Sequence, residues 1–148
     1  MFKSIVVALD RSDASAVALD YATKLAAIDG ASMVLVNVLE IAKLAAVSGY
    51  QTPYPAEAIE AIRQDGEQLL KEAAEVNAAQ KIHVVTIAAE GDPVDVILQA
   101  AEEHQCNLIA LGTHGRKGLS RLFLGSVAEG VLRRSKVPVF VAPSPHAH

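Results

Sequence analysis

The chain has 148 residues, of which 51% are hydrophobic, and its formal net charge at pH 7 is −4. This length suits one domain with a sizeable core, and the apolar fraction is too high for a disordered protein. The negative charge argues against a nucleic-acid-binding surface, no apolar run reaches the length of a membrane span, and the single cysteine, Cys106, excludes an internal disulfide. The N-terminus lacks a signal-peptide layout, so we expect a cytoplasmic globular protein without membrane insertion or a nucleic-acid partner.

The first part of the chain alternates apolar runs with a helical pattern. Ser4–Leu9 is a short apolar run rich in β-branched residues, which is typical of a buried parallel strand. A helix is predicted from Asp13 to Ile28, with Ser12 as its N-cap, and Ser32–Leu39 predicts a second strand. The apolar residues of the helix recur at helical spacing and predict its buried face: Val17, Ala18, Tyr21, Leu25 and Ile28.

The stretch from Glu40 to Pro55 is the least regular part of the sequence. Two prolines and Gly49 favour a loop, and both a flap near a ligand and an ordinary surface loop fit this composition. Three further elements are predicted up to residue 104: a helix over Ala56–Ala79 with Gly66 inside it, a strand over Ile82–Ala88, and a helix from Pro93, capped by Asp92, to His104.

The remaining elements complete a regular alternation. A buried strand is predicted over Asn107–Leu111, a helix over Val127–Arg134 and a last strand over Pro138–Ala142. The order β-α-β-α-β-α-β-α-β, without repeats or a linker, predicts one α/β domain over residues 1–143: a doubly wound, Rossmann-like, five-stranded parallel sheet with helices on both faces. We expect residues 144–148 to form a flexible tail.

Glycines, cations and hydroxyls are concentrated between the predicted fourth strand and the last helix. Gly112 and Gly115 are followed, after nine residues, by Gly125 and Ser126. A strand that runs through glycines into a helix N-terminus favours anion binding, because glycine permits close approach and the helix start offers unpaired N–H groups. Two other interpretations stay open, namely a simple turn and a purely capping Ser126. The two best-known phosphate-loop motifs are absent.

The pattern Gly112-x-x-Gly115-(nine residues)-Gly125-Ser126 resembles the ATP-binding signature of the universal stress protein family. The resemblance covers nearly the whole chain. Residues 5–12 resemble the family's first strand and Asp-x-Ser turn, and residues 125–129 and 137–139 resemble its last helix and last strand. It implies the strand order 3-2-1-4-5, a ligand site where strands one and four diverge, and ATP with magnesium as the ligand.

The resemblance also implies roles for individual residues. Asp10 would accept hydrogen bonds from a ribose hydroxyl or a metal-bound water, although capping of the first helix is an alternative. Val38, with Ala8 and Leu9, would contact the adenine, although Val38 alone fits a plain core. Asp10 and Ser126 are the candidate metal contacts through Mg-ATP. The predicted ATP-binding residues are Ala8, Leu9, Asp10, Val38, Leu111, Gly112, His114, Gly115, Arg116, Gly125, Ser126 and Val127.

One departure from the family pattern concerns the turn after the first strand. Arg11 stands where the family often has glycine, so its side chain either points to solvent or adds a cation near the phosphates. The conformation of this turn therefore stays open.

The sequence contains no convincing catalytic set: neither a nucleophile with a base and an orienting group nor a His-Glu-x-x-His motif. The first functional hypothesis is therefore an ATP-dependent regulator, which acts on a protein partner that the sequence does not identify. A slow ATPase or another adenine-nucleotide enzyme is the second hypothesis, and a nucleotide-free scaffold is the third. If the last strand lies at a sheet edge, Val139, Phe140 and Val141 would pair with a second copy and form a homodimer.

Overall fold

The computed structural model describes residues 1–48, 55–113 and 124–145. Strands and helices alternate along the described residues, except that two helices, one of them not predicted from the sequence, lie between the second and third strands. The elements are β1 (Ser4–Ala8), α1 (Asp13–Asp29), β2 (Ser32–Leu39), α2 (Ile41–Ser48), α3 (Ala56–Ala79), β3 (Val84–Glu90), α4 (Pro93–Glu103), β4 (Leu108–Gly112), α5 (Ser126–Arg134) and β5 (Val139–Ala142).

The five strands form one parallel sheet in the order β3-β2-β1-β4-β5. The predicted fold class and strand order are therefore confirmed. In the centre, β1 pairs with β2 from Ser4–Ser32 onward and with β4 from Ile5–Leu108 onward. The chain thus leaves β1 on one side and returns on the other, which creates a crevice at the carboxyl ends of β1 and β4.

Each face of the sheet has its own apolar core. Alternate residues of β1 point to opposite faces: Ile5 and Val7 pack under α1 and α3, whereas Val6 packs under α4 and α5. Cys106 lies buried in the second core, where burial raises the pKa of its thiol. This environment fits the packing role of a small apolar residue. None of the described helices is long and apolar enough to cross a membrane.

The buried face of α1 differs from the predicted one. Tyr21 is 51% exposed and Ile28 is 79% exposed. Small residues face the sheet instead, because α1 packs very close to β4: a Cβ on Gly112 would lie 2.6 Å from the Cβ of Ala14. Helical spacing alone could not separate the two faces, since both carry apolar residues. The buried residues of α1 are Ala14, Ser15, Ala18, Ala22, Thr23 and Ala26.

The prediction of a loop over Glu40–Pro55 is wrong for its first half. Residues Ile41–Ser48 form α2, and the amides of Lys43 and Leu44 donate to the carbonyl of Glu40 at 3.1 and 3.2 Å. Alanine and leucine in this run favour a helix, and the glycine and prolines come only after it. The predicted strand over Ile82–Ala88 is displaced to Val84–Glu90, since the amide of Ile82 still bonds to the end of α3.

The long helix α3 packs closely against β2 and forms a buried hydrogen bond with α1. Gly66 brings the helix so close to β2 that a Cβ there would lie 2.2 Å from Oδ1 of Asn37. Further along, Asn77 is fully buried and accepts a hydrogen bond from the hydroxyl of Thr23 in α1 at 2.9 Å. Buried polar side chains of this kind are favourable only when paired, so they fix the position of α3 relative to α1.

Candidate functional site

A cleft of about 170 Å³ lies at the carboxyl ends of β1, β2 and β4, between the N-termini of α4 and α5. This is the place that the strand order predicts for a ligand. Nine of the twelve predicted ATP-binding residues line it: Ala8, Leu9, Asp10, Val38, Leu111, Gly112, Gly125, Ser126 and Val127. The other three, His114, Gly115 and Arg116, lie outside the described residues.

The cleft is also lined by residues that the sequence does not predict as site residues. Glu40 and Lys43 follow β2, and Lys43 lies on α2, a helix that the sequence does not predict. Pro93 and Ile97 come from α4, whose orientation toward the cleft is a tertiary property without a sequence signal. The other additional lining residues are Ser15, Val36 and Ala128.

A network of local hydrogen bonds shapes the turn that carries Asp10. The carboxylate of Asp10 accepts from the amide of Ser12 at 3.0 Å, and the hydroxyl of Ser12 caps α1 by accepting from the amide of Ser15 at 3.0 Å. Ser12 is therefore the N-cap, as predicted, whereas the carboxylate of Asp10 bonds to the turn that precedes the helix. Asp10 thus has a structural contact beside the cap, which agrees with the alternative interpretation, and it also lines the cleft.

The N-terminus of α5 opens onto the cleft without a side-chain cap. Gly125 is the N-cap residue and Ser126 is the first helical residue, so the alternative in which Ser126 only caps the helix is wrong. By contrast, α1 is capped by Ser12 and α4 by Asp92. The first N–H groups of α5 have no partner within the helix, and the helix dipole adds partial positive charge there. This end of the cleft is suited to an anion.

The side chain of Arg11 turns away from the cleft. Its Nε lies 3.0 Å from both carboxylate oxygens of Asp65 on α3, and this hydrogen bond raises the pKa of the guanidinium. Nη1 lies 3.8 Å from the carboxylate of Glu72. The side chain is therefore exposed at the surface, as one of the two predicted alternatives has it, and it pairs there with α3.

Because of the strand order, three chemically different surfaces follow one another across the cleft. Val36 and Val38 of β2 provide an apolar side, Asp10 follows the central strand, and Gly125 and Ser126 provide the anion-binding side. An apolar ring, a hydroxyl-bearing group and phosphates, arranged in that order, match these three surfaces.

The described residues contain no cluster of three or more His, Cys, Asp or Glu side chains that could hold a metal ion by itself. The charged residues in the described walls of the cleft are Asp10, Glu40 and Lys43. Along its α5 side, the described lining consists of glycine, serine, valine and alanine, without a carboxylate or an imidazole. The described part of this side can bind a phosphate through the backbone, and it contains no general base.

Comparisons with known proteins agree with the fold and cover nearly the whole chain. Residues 1–143 match the profile of the Universal stress protein family. Universal stress protein YxiE of Bacillus subtilis is 36% identical over 146 residues, which cover 95% of this chain and 99% of that protein. Universal stress protein MJ0531 of Methanocaldococcus jannaschii is 30% identical over 150 residues, which cover 98% of this chain and 84% of that protein.

Solved structures share the same architecture. The structure of hypothetical protein MJ0577 of Methanocaldococcus jannaschii superposes with a TM-score of 0.82 at 23% identity and covers 97% of this chain and 96% of that chain. A universal stress protein in complex with cAMP has a TM-score of 0.69 at 24% identity, covering 97% and 98% of the two chains. A universal stress protein of Archaeoglobus fulgidus in complex with dAMP has a TM-score of 0.67 at 23% identity, covering 95% and 97%.

Proposed function

The chain belongs to the universal stress protein family, and on this premise we propose that it binds ATP in the cleft and acts as a nucleotide-dependent regulator in a homodimer. The observation that carries the proposal is the uncapped N-terminus of α5, which faces the same cleft as Asp10 and Val38. Such a helix start binds phosphate through its free N–H groups. The neighbours solved with cAMP and dAMP support an adenine nucleotide as the ligand class.

The sides of the cleft suggest how ATP would lie. The adenine would rest against Val36 and Val38, a ribose hydroxyl would donate to the carboxylate of Asp10, and the phosphates would contact the start of α5 at Gly125 and Ser126. Magnesium would enter with the triphosphate, and Asp10 and Ser126 would contact it or its water ligands. When bound, the ion would neutralise part of the phosphate charge.

The nucleotide content of the purified protein tests this proposal most directly. We expect that denaturing the freshly purified protein releases ATP in near-stoichiometric amount, identified by ion-exchange chromatography. ADP alone would favour turnover. If the protein is empty and a calorimetric titration with Mg-ATP also shows no binding at millimolar nucleotide, the proposed function is wrong.

Retention of intact ATP separates a regulator from an enzyme. The described α5 side of the cleft lacks a general base, so we expect bound radiolabelled ATP to stay intact for hours in a single-turnover chase. Rapid multiple turnover would refute the regulator and establish the alternative, an ATPase of the same fold.

The homodimer would form at the free edge of β5. The carbonyls of Pro138 and Ala142 accept from the amides of Ile109 in β4 and Thr113 just after it, so the backbone groups of the alternate residues Val139 and Val141 point away from β4. Tyr21 lies beside this edge, half-exposed, with its ring 5.6 Å from that of Phe140. An antiparallel β5 from a second copy would satisfy the exposed backbone groups and cover this apolar surface.

A proline at position 141 is expected to convert the dimer to a monomer. Val141→Pro removes an outward N–H and leaves the hydrogen bonds between β4 and β5 in place, since an edge strand tolerates proline. Light scattering at micromolar concentration should give twice the chain mass of 15.6 kDa for the wild type and the single chain mass for the variant. Val141→Ala keeps the N–H and should remain dimeric. A monomeric wild type would contradict the prediction.

A further inference from the structure

The turn between β1 and α1 contains an unusual backbone conformation. Arg11 has a φ of +65°, a left-handed value that residues with a side chain rarely adopt. Lys81 and Gln105 have similar values, but each follows the C-terminus of a helix, where a left-handed residue is a common stop. Arg11 precedes a helix instead. Among the described residues, its conformation therefore stands apart and needs another cause.

The contacts of the Arg11 side chain supply that cause. Nε lies 3.0 Å from both Oδ1 and Oδ2 of Asp65, Nη2 lies 3.5 Å from the backbone oxygen of Asp65, and Nη1 lies 3.8 Å from Oε2 of Glu72. A sparsely populated backbone conformation persists only when its surroundings hold it. Here one helix, α3, holds the guanidinium from three directions.

The helix that holds Arg11 is itself firmly placed. Gly66, next to Asp65, packs against Asn37 so closely that a Cβ would lie 2.2 Å from its Oδ1. The amide Nδ2 of Asn37 in turn donates to the backbone oxygen of Leu9 at 2.9 Å. Two connections from the same region of α3 therefore reach Leu9 and Arg11, the residues on either side of Asp10.

We propose that Arg11 and Asp65 form a clamp that positions the carboxylate of Asp10 for a ribose hydroxyl, an inference that rests on the proposed ATP site. Arg11 is a positioning residue, because its cation faces α3 and not the cleft. Without the clamp, the turn loses its fixed conformation and Asp10 its fixed direction. The base and phosphate surfaces, which belong to β2 and α5, are left as they were.

Discrimination between ATP and its deoxy analogues tests this clamp. The measured quantity is the Kd of 2′-deoxyATP or 3′-deoxyATP, whichever the wild type binds more weakly, divided by the Kd of ATP. This ratio cancels changes in phosphate affinity, because all three ligands carry the same triphosphate. The deoxy analogue cannot donate the hydrogen bond from the missing hydroxyl to the charged carboxylate of Asp10. We therefore expect a ratio of about 10 for the wild type.

Variants of the clamp are expected to lower this ratio. Asp10→Ala should bring it close to one, and Arg11→Ala and Asp65→Ala should each lower it by at least about threefold. The double variant Arg11→Ala/Asp65→Ala should be no lower than either single variant, since both changes break the same contact. Non-additivity of this kind distinguishes a shared contact from two unrelated structural effects.

Two further variants serve as controls. Arg63→Ala removes another arginine of α3, which pairs with Glu60 at 3.3 Å and Glu90 at 2.6 Å rather than with the β1–α1 turn, so the ratio should not change. Arg11→Gly permits the positive φ without a Cβ clash, so it should melt at or above the wild-type temperature and still show the lowered ratio. A lowered ratio in a stable variant excludes misfolding as its cause.

The possible outcomes separate the two proposals. If the wild type binds no ATP, the proposed function fails and the clamp fails with it. If the wild type binds ATP and Asp10→Ala loses the discrimination, but the Arg11 and Asp65 variants keep it, the clamp alone is overturned. A wild-type ratio of one likewise overturns the clamp and leaves ATP binding in place.

Discussion

Ser126→Asp is expected to weaken ATP binding by at least about 100-fold while it preserves the stability of the fold. Ser126 is exposed, lies at the first position of α5 and lines the cleft. A carboxylate there would repel the phosphates at short range. The same charge is favourable to the helix, because acidic residues interact well with its N-terminal dipole. Affinity and stability should therefore change in opposite directions.

The matched control for this substitution is Ser126→Asn, which has nearly the same shape as aspartate but no charge. It leaves the backbone N–H groups in place and should change the affinity by no more than about fivefold. Affinities are measured by isothermal titration calorimetry with Mg-ATP, and stability by thermal unfolding without nucleotide. Equal affinities for Ser126→Asp and the wild type would show that phosphates do not bind at the start of α5.

Gly112→Ala is expected to destabilise the protein by about 3 kcal/mol, the upper end of the usual cost of overpacking. Its Cβ would lie 2.6 Å from the Cβ of Ala14 and 2.9 Å from both the carbonyl carbon of Ala14 and the amide nitrogen of Ser15. The last two are backbone atoms at the start of α1, so no side-chain rotation relieves the clash. The helix would have to move away from β4, and with it a wall of the cleft. Urea unfolding measures the loss.

Gly130→Ala provides the comparison within the same protein. Its Cβ would approach Cγ2 of Val94 at 2.7 Å, which is equally close, but the atom it meets ends a side chain. The helix propensity of alanine, better than that of glycine by about 1 kcal/mol, offsets the cost of moving Val94. We expect a net change within about 1 kcal/mol. If the two variants proved equally unstable, the argument from backbone contacts would be wrong.

The fold class could be predicted from the sequence because each strand contains a short apolar run and a predicted helix lies between each strand and the next. Ser12 and Asp92 were recognisable as caps, since a hydroxyl or a carboxylate just before an apolar helical pattern has few other uses. Helix α2 is not predicted, because the glycine and the prolines that follow it favour a loop for the whole stretch. The predicted start of α5, Val127, lies one residue after the observed start, Ser126, because glycine and serine both serve as N-caps.

The site was predictable only in part, because its residues belong to two classes. Asp10, Gly112 and Ser126 lie within recognisable patterns, and those patterns meet because parallel strands bring their carboxyl ends together. Ile97 and Lys43 carry no such signal, and they reach the cleft only through helix packing. The direction of the Arg11 side chain could not be predicted from the sequence either, because its partner Asp65 lies 54 positions away on another helix.

The position of β1 in the sheet also bears on the order in which a growing chain can fold. β1 can pair with β2 soon after both leave the ribosome, but its other edge waits for β4, because Ile5 pairs with Leu108. The α5 side of the cleft, where the phosphates are proposed to bind, is synthesised later still. Until then, the open edge of the central strand can pair wrongly with other strands. A nucleotide that bridges β1 and α5 would therefore be captured only by chains whose last helix has docked, and it would hold the earliest and latest parts of the chain together.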